Sequence, residues 1–325
     1  MTNNTQGRDL CGMIIKGVGG LYTVLTDGGE RVLCRARGIF RYENVSPLVG
    51  DRVKVIKDER NDEKEDEGFV IDEILPRRCS LVRPALANLT HLLVVIPSAK
   101  PKPDLLTVDK MISIAEIQNI EPVIIVNKSD ISPEETARIK ELYENAGFTC
   151  MALSAANGDG CDKLEDYFEE SSKDGVMIAA FAGASAAGKS TLMKRLFPTL
   201  DLKTGEVSRK TERGRHTTRH VELFPVLDGG RCFIADTPGF SLLDFARYNF
   251  LDLSELPFSF REFSDCLGKC RYTKCTHTKE EGCAVLEKLA SGGISKERHD
   301  NYVALYNEIK SIPEWKRKKD GAQDV

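Results

Sequence analysis

Residues 183–190 (GASAAGKS) carry the clearest chemical pattern in the sequence. They match G-x-x-x-x-G-K-[ST] between a strand-like apolar run and a helical one, the setting that a phosphate-binding loop requires. Backbone N–H groups of such a loop surround phosphates. Lys189 can reach the β- and γ-phosphates in binding and catalysis, and the Ser190 hydroxyl can coordinate Mg²⁺. The residues expected to line this nucleotide site are Gly183, Ala184, Ser185, Ala186, Ala187, Gly188, Lys189, Ser190 and Thr191.

A second motif, DTPG at residues 236–239, follows a short apolar run. Asp236 can hold Mg²⁺ through water, and the N–H of Gly239 can sense the γ-phosphate. Such a motif alone is usually just a turn, but its place downstream of the phosphate loop favours nucleotide binding.

A third motif, NKSD, follows the apolar run VIIV. The Asp130 carboxylate can accept hydrogen bonds from guanine N1–H and the 2-amino group, which adenine cannot offer, so this motif selects guanine. We expect Asn127 and Lys128 to brace the loop and cover the base. Ser154 and Ala155 end the next strand, and their backbone N–H groups are expected near guanine O6.

Residues 209–220 lie between the phosphate loop and DTPG and are rich in Arg, His and Thr. Thr217 or Thr218 can coordinate Mg²⁺ and hydrogen-bond the γ-phosphate during hydrolysis. Phe240 stands where many GTPases carry a water-orienting glutamine. We therefore expect His216 to act on the attacking water, since neutral imidazole accepts a hydrogen bond and titrates near pH 7. Contact of this histidine with phosphate or RNA is the alternative.

The spacing C-x₄-C-x-H-x₅-C predicts a metal site formed by Cys270, Cys275, His277 and Cys283. Three thiols and one imidazole are a ligand set of structural zinc sites, and four protein ligands leave no open position for catalysis. Cys266 is a fifth nearby thiol that can compete as a ligand, but it ranks lower.

The elements that must position these motifs change in character along the chain. Residues 12–75 contain short β-rich runs broken by turns, with a hairpin signal at 27–29, and predict a small β-barrel. The charged run 58–67 is interpreted as a solvated loop. Strand-like and helical runs then alternate, which predicts an α/β sheet. The expected strands are 92–96, 123–126, 149–153, 177–182 and 232–235, and the expected helices are 108–117, 133–146, one from 189, 284–289 and 296–310.

Composition limits the class of protein. The 325 residues are 41% hydrophobic and 30% charged with a formal net charge of −4, which suits a soluble chain of two or three domains. A globally basic nucleic-acid binder is excluded, but local basic patches are not. The sequence has no transmembrane run and no secretory signal, so we expect a reducing cytoplasm, where the ten cysteines are thiols or metal ligands.

Together these features resemble the ribosome small-subunit-dependent GTPases, the RsgA/YjeQ-like family, over nearly the whole chain. LVRP at 81–84, NKSD, GRHTT and DTPGF support the likeness, and the base motifs precede the phosphate loop, which is the circularly permuted order. The resemblance implies a multidomain α/β protein with an N-terminal OB-like β-barrel (1–76), a circularly permuted P-loop GTPase domain (77–245) and a C-terminal helical zinc-binding domain (246–325).

The resemblance also implies GTP/GDP, Mg²⁺ and Zn²⁺ as cofactors, and GTP hydrolysis on the small ribosomal subunit late in its assembly, with His216 serving in that hydrolysis. Basic residues support an rRNA partner, although each cluster alone is more often a solvated face. These are Arg31, Arg35, Arg37, Arg41 and the run KRKK at 316–319. We expect a cytoplasmic monomer that binds neither DNA nor membrane.

Ala186 departs from the family pattern, which has glycine at this position. If the position needs a positive φ, alanine strains the loop and lowers nucleotide affinity or turnover. Two other functions remain open at this point. One is a GTP-gated RNA-binding assembly factor with negligible turnover; the other is an ATP-dependent enzyme, against which NKSD argues.

Overall fold

The computed structural model describes a barrel, a sheet with helices between its strands, and a helical C-terminal part. The described residues are 10–43, 45–57, 68–82, 84–200, 221–227, 230–236 and 251–312. None of the helices in these ranges has the length and apolar character needed to cross a bilayer. The predicted loop at 58–67 and the basic run at 316–319 lie outside the described residues.

The N-terminal part is a closed five-stranded β-barrel, as predicted. The alternation of apolar and polar residues is clearest in RVKVIK at 52–57, where Val53 and Val55 lie on the face that fills the barrel. Strand β1 pairs with both β2 and β4, which closes the order β1-β2-β3-β5-β4. Ile14, Val24, Val53, Val55 and Ile71 are fully buried inside it. The elements are β1 (Leu10–Val18), β2 (Leu21–Thr26), β3 (Arg31–Ala36), helix α1 (Ile39–Tyr42), β4 (Arg52–Lys57) and β5 (Phe69–Ile74).

A buried ion pair fastens the barrel to the segment that follows it. Asp51 is fully buried, and Arg77 donates to its two carboxylate oxygens from Nε at 2.7 Å and from Nη2 at 2.9 Å. Next to this pair, Gly50 has a φ of +91°, and an added Cβ would lie 2.1 Å from the Ala87 carbonyl oxygen, so only glycine fits. The segment forms a small hairpin of β6 (Ser80–Leu81) and β7 (Leu86–Ala87).

The central part is a sheet in the order β10-β9-β8-β11-β13-β12, parallel except for β12. Near-continuous Val, Ile and Ala in its inner strands are buried on both faces, as in strands covered by helices. The predicted α/β sheet is thus confirmed. Its elements are β8 (His91–Pro97), α2 (Leu105–Ile117), β9 (Glu121–Asn127), α3 (Pro133–Asn145), β10 (Thr149–Leu153), α4 (Cys161–Ser171), β11 (Met177–Gly183), α5 (Lys189–Leu196), β12 (Glu222–Pro225) and β13 (Cys232–Asp236).

The barrel and the sheet join through one pair of strands. β12 pairs antiparallel with β1 at Lys16 and Glu222, whose side chains form an ion pair of 2.8 Å. The barrel strands and the central strands thereby form one continuous sheet of eleven strands. The sequence analysis did not predict β12, because its four residues are too few for a clear period.

Helix starts follow local chemistry with small differences from the predictions. α2 begins at Leu105 rather than 108, because the Asp104 side chain caps the helix by accepting from the Thr107 N–H at 3.3 Å. Ser132 is the N-cap of α3, but its side chain makes no capping hydrogen bond. Its carbonyl oxygen instead accepts from the Thr136 N–H at 3.0 Å.

The C-terminal part packs around buried aromatic rings. The ring centroids of Phe263 and Tyr302 lie 4.9 Å apart, and Phe260 lies 5.2 Å from Tyr302. Both helices predicted here are confirmed to within one residue, while the domain boundaries remain predictions. The elements are two short 3₁₀ helices, Leu256–Ser259 and Arg261–Phe263, followed by α6 (Ala284–Ala290) and α7 (Lys296–Ser311).

Candidate functional site

The phosphate loop joins the end of β11 to the start of α5. Gly188 is the N-cap of α5, with a φ of +99°, and an added Cβ would lie 2.1 Å from Asn127 Nδ2. Ala186 has a φ of +62°, so the condition for strain at this alanine is met. Ala187 is fully buried, whereas four predicted contact residues are exposed: Ser185, Ala186, Ser190 and Thr191.

Lys189 turns back across this loop. Its Nζ donates to the carbonyl oxygen of Gly183 at 2.7 Å and to that of Ala184 at 2.9 Å. Burial lowers the pKa of Lys189, because a cation withdrawn from water loses hydration. The ammonium group is thus held within the loop, where it can meet an anion.

Asn127, at the end of β9, ties two of the predicted motifs together. Its side chain is buried; Nδ2 donates to the Ala187 carbonyl at 2.8 Å, and Oδ1 accepts from the Ala155 N–H at 2.9 Å. The phosphate loop and the loop after β10 therefore share one partner. Lys128 has a φ of +68° and donates from Nζ to the Lys100 carbonyl.

The loop after β10 closes on itself beside this asparagine. The Gly158 N–H donates to the Ser154 carbonyl at 2.8 Å, and the Ser154 N–H donates to the Asp159 carbonyl at 2.9 Å. The N–H groups of Ser154 and Ala155 are thus both used within the protein. Asp130 is exposed at the neighbouring strand end, and the parallel pairing of β9 with β10 brings both loops to one edge of the sheet.

Asp236 ends β13, which pairs in parallel with β11, so this carboxylate lies at the same edge as the phosphate loop. Four other predicted site residues lie outside the described residues: His216, Thr217, Thr218 and Gly239.

Two residues that the sequence analysis missed support the base-side loops. Ser98, directly after β8, donates from Oγ to the Lys128 carbonyl at 2.9 Å. Arg195, on α5, donates to the carbonyl oxygens of Ala155 and Ala156 at 2.8 and 2.7 Å. A polar residue after a buried strand is a signal that could have identified Ser98. No local pattern marks Arg195, whose partners precede it by 39 and 40 residues.

The predicted metal ligands meet in the C-terminal part. The ligand atoms of Cys270, Cys275, His277 and Cys283 all lie within 4.8 Å of one another. His277 Nδ1 is 3.5 Å from Cys270 Sγ and 3.4 Å from Cys283 Sγ, and these two sulfurs are 3.9 Å apart. Tetrahedral zinc with ordinary bond lengths requires about 3.8 Å between sulfurs and about 3.6 Å between sulfur and nitrogen, so the donor set fits.

Burial raises the pKa of the Cys275 thiol to about 12, so a cation is needed to favour its thiolate. Cys266 is buried in the hydrophobic core and lies outside the cluster, in agreement with its lower rank.

Hydrogen bonds hold the loop that carries His277. The Glu280 carboxylate accepts from the N–H groups of Thr276 and Thr278, both at 3.0 Å. Burial acts to raise the pKa of Glu280, but hydrogen bonds from the Thr276 hydroxyl and from nearby backbone N–H groups, among them those of Lys279 and Thr276, lower it to about 2. Tyr302 Oη donates to the Thr276 carbonyl at 2.8 Å. The ligand loop is therefore positioned by the protein itself.

Comparison with known proteins connects this geometry to one family. A family model described as RsgA GTPase matches residues 74–246, and one described as RsgA N-terminal domain matches residues 11–64. A small ribosomal subunit biogenesis GTPase RsgA from Caldanaerobacter subterraneus is 40% identical over 92% of this chain and 95% of its own length. One of the same name from Enterococcus faecalis is 39% identical over 95% of this chain and 99% of its own.

Solved structures show the same architecture. The crystal structure of YjeQ from Thermotoga maritima has a TM-score of 0.77 and 29% identity, covering 94% of this chain and all of its own. The crystal structure of YloQ, described as a circularly permuted GTPase, has a TM-score of 0.74 and 28% identity, covering 96% of this chain and 99% of its own.

Proposed function

Because this chain belongs to the RsgA GTPase family, we propose that it hydrolyses GTP at the edge of the sheet where the phosphate loop and the base motifs meet. The observation that carries this proposal is the Asn127 side chain, which binds the phosphate loop at Ala187 and the base-side loop at Ala155. Motifs that are separated in sequence, and in permuted order, thus lie side by side at this edge of the sheet.

The residues of this site divide the work. Backbone N–H groups of residues 183–191 and the Lys189 ammonium group bind the phosphates, and Asp130 accepts hydrogen bonds from guanine. Ser190, Asp236 and one threonine of the 209–220 segment, Thr217 in our assignment, would hold Mg²⁺, which would supply positive charge to offset that of the phosphates.

Hydrolysis also requires a group that orients water. We assign this role to His216. Thr217 or Thr218 is assigned to the γ-phosphate, and the N–H of Gly239 is assigned to sense that phosphate. The support for these assignments is the position of the residues in the sequence. Phe240 offers no hydrogen bond to water.

The cysteine–histidine cluster is proposed to hold one structural zinc ion. Its donor distances support this assignment, and the metal would replace the apolar core that such short loops lack. Cys270, Cys275, His277 and Cys283 fill the tetrahedron, so no substrate binds the metal there.

We propose that the partner is the small ribosomal subunit late in its maturation; the relatives are named small ribosomal subunit biogenesis GTPases, which supports the subunit as the partner. Arg31, Arg35 and Arg37 are exposed on the barrel, where they can contact rRNA. We propose a monomer that acts in the cytoplasm and binds neither DNA nor membrane.

The test is GTP hydrolysis by the purified protein, alone and with small ribosomal subunits, with His216→Ala as a control. Strong stimulation by subunits that this variant lacks supports the proposal. GTP-dependent subunit binding without stimulated turnover would instead identify a GTP-gated RNA-binding factor. Displacement of bound GTP by equimolar ATP would refute guanine selectivity.

A further inference from the structure

Arg195 bears on base recognition although it belongs to the helix after the phosphate loop. Its guanidinium donates from Nε to the Ala155 carbonyl at 2.8 Å and from Nη2 to the Ala156 carbonyl at 2.7 Å. An arginine fork that holds two successive carbonyl groups fixes two peptide planes at once. One side chain of α5 thus sets the shape of the loop after β10.

Fixing these carbonyl groups also fixes the N–H groups that follow them. In a trans peptide the C=O and N–H bonds point in opposite directions, so the N–H groups of Ala156 and Asn157 point away from the guanidinium. Within the described part of the chain, neither group donates a hydrogen bond, whereas the Ala155 N–H is used by Asn127. The N–H donors that this stretch leaves for a ligand are therefore those that Arg195 orients.

The loop is also built to receive this arginine. Gly158 has a φ of +101°, and an added Cβ would lie 2.8 Å from Arg195 Nη1. The backbone conformation thus requires glycine here, and any larger residue would also push the end of the Arg195 side chain from its place.

We propose that Arg195 is a positioning residue for guanine recognition, which presents the N–H groups of Ala156 and Asn157 to O6 of the base. The inference rests on the proposed function. Guanine O6 accepts hydrogen bonds, whereas the 6-amino group of adenine donates them, so these oriented donors favour guanine and disfavour adenine. This selection is separate from that of Asp130, which faces the N1–H and 2-amino groups.

The test measures the dissociation constants of GDP and ADP by calorimetry for the full-length protein, Arg195→Met and the control Lys194→Met. Lys194 is the adjacent exposed cation on α5 and makes no hydrogen bond to this loop within the described residues. We expect Arg195→Met to weaken GDP binding about fivefold to tenfold, as one or two misplaced hydrogen bonds would do. ADP binding should stay the same, and Lys194→Met should change neither constant.

Equal weakening of GDP and ADP binding in Arg195→Met would overturn the proposal, because it would show general damage to the phosphate loop. If Arg195→Met binds both GDP and ADP as tightly as the unmodified protein does, the proposal is overturned as well. If Arg195→Met does not fold, Arg195→Lys replaces it. Because one ammonium group cannot hold both carbonyl groups in a fork, the preference for GDP over ADP should fall partway. An unchanged preference for GDP in this variant would contradict the proposal. Equal binding of GDP and ADP by the unmodified protein would instead refute the guanine site itself.

Discussion

At the scale of single residues, several polar side chains of the nucleotide site serve the backbone. Asn127, Ser98 and Arg195 all bind carbonyl groups of loops at the edge of the sheet. Peptide groups beyond the strand ends have no ladder partners, so a fixed side-chain partner is needed for each loop to keep one shape. Such residues hold the loops in one shape before any ligand binds.

Substitution of Ala186 by glycine tests whether the phosphate loop is strained at this residue. Because its φ is +62°, Ala186→Gly should remove a left-handed conformation that costs a non-glycine residue about 1 kcal/mol. We expect the free energy of unfolding to rise by up to this amount and GDP to bind about twofold to fivefold more tightly, because a relaxed loop is better preorganised. Urea unfolding and GDP titration measure both effects.

The control for Ala186→Gly is Ala184→Gly, since Ala184 lies in the same loop without a positive φ. There, glycine should only add freedom to the unfolded chain and lower stability by about 0.5–1 kcal/mol. Similar effects of the two substitutions would show that no strain is stored at Ala186.

At the scale of elements, the C-terminal part carries the proposed zinc site in the loop before α6. We expect one zinc ion per chain by metal analysis and its loss in Cys275→Ser, whose thiol belongs to the cluster. Cys266→Ser should keep the metal because Cys266 does not belong to the cluster of ligand atoms. Retention of zinc by Cys275→Ser, or its loss from Cys266→Ser, would contradict the proposed set of zinc ligands.

Strand β8 begins with a partly buried histidine that predicts a pH dependence. Burial lowers the pKa of His91 to about 4 from 6.5, with Thr90 Oγ1 2.8 Å from its Nδ1. Between these two pH values the unfolded chain binds the proton and the folded protein does not. Stability from this residue is therefore present above about pH 6.5 and is lost as the pH falls toward 4.

The variant His91→Gln should not show this loss of stability at low pH. Thermal unfolding at pH 7.5 and pH 5 should show the unmodified protein losing more stability on acidification than His91→Gln, because every other titrating group is common to both. Parallel pH profiles would show that His91 does not contribute.

At the scale of the whole molecule, a buried ionic cluster holds the C-terminal part on the sheet-and-helix part. Arg298 of α7 donates from Nε to Glu262 at 2.8 Å and from Nη1 to Asp109 of α2, and all three side chains are almost fully buried. The Tyr143 hydroxyl donates to the same Asp109 oxygen at 2.9 Å. The Arg298 cation thus connects α7 with α2 and with the 3₁₀ helix Arg261–Phe263.

Arg298→Met should destabilise the protein by about 3–5 kcal/mol, because it leaves the buried carboxylates of Asp109 and Glu262 without a cation to balance their charge. The measurement is urea unfolding, together with protease cleavage between the two parts. Arg138→Met is the matched control: Arg138 also pairs with two carboxylates, Glu135 at 2.8 Å and Glu297 at 2.6 Å, but at the surface, so its loss should cost under about 1 kcal/mol. Equal effects would contradict a special role for the buried cluster.

The sequence by itself determined the motifs and most of the elements. Phosphate-loop, guanine and zinc-ligand patterns are local, since each needs certain residue types at fixed spacing, and the strands β8, β9 and β11 are apolar enough to be recognised alone. The permuted order of the motifs was also visible in the sequence.

Only the tertiary structure decided which distant groups meet. The pairing of β12 with β1, the Asn127 link between two loops, the Arg195 fork and the Arg298 cluster all join residues far apart in the chain. Each depends on the three-dimensional distance between one side chain and one oxygen or N–H group. A contact of that kind leaves no period or spacing in the sequence, because folding alone brings its two partners together.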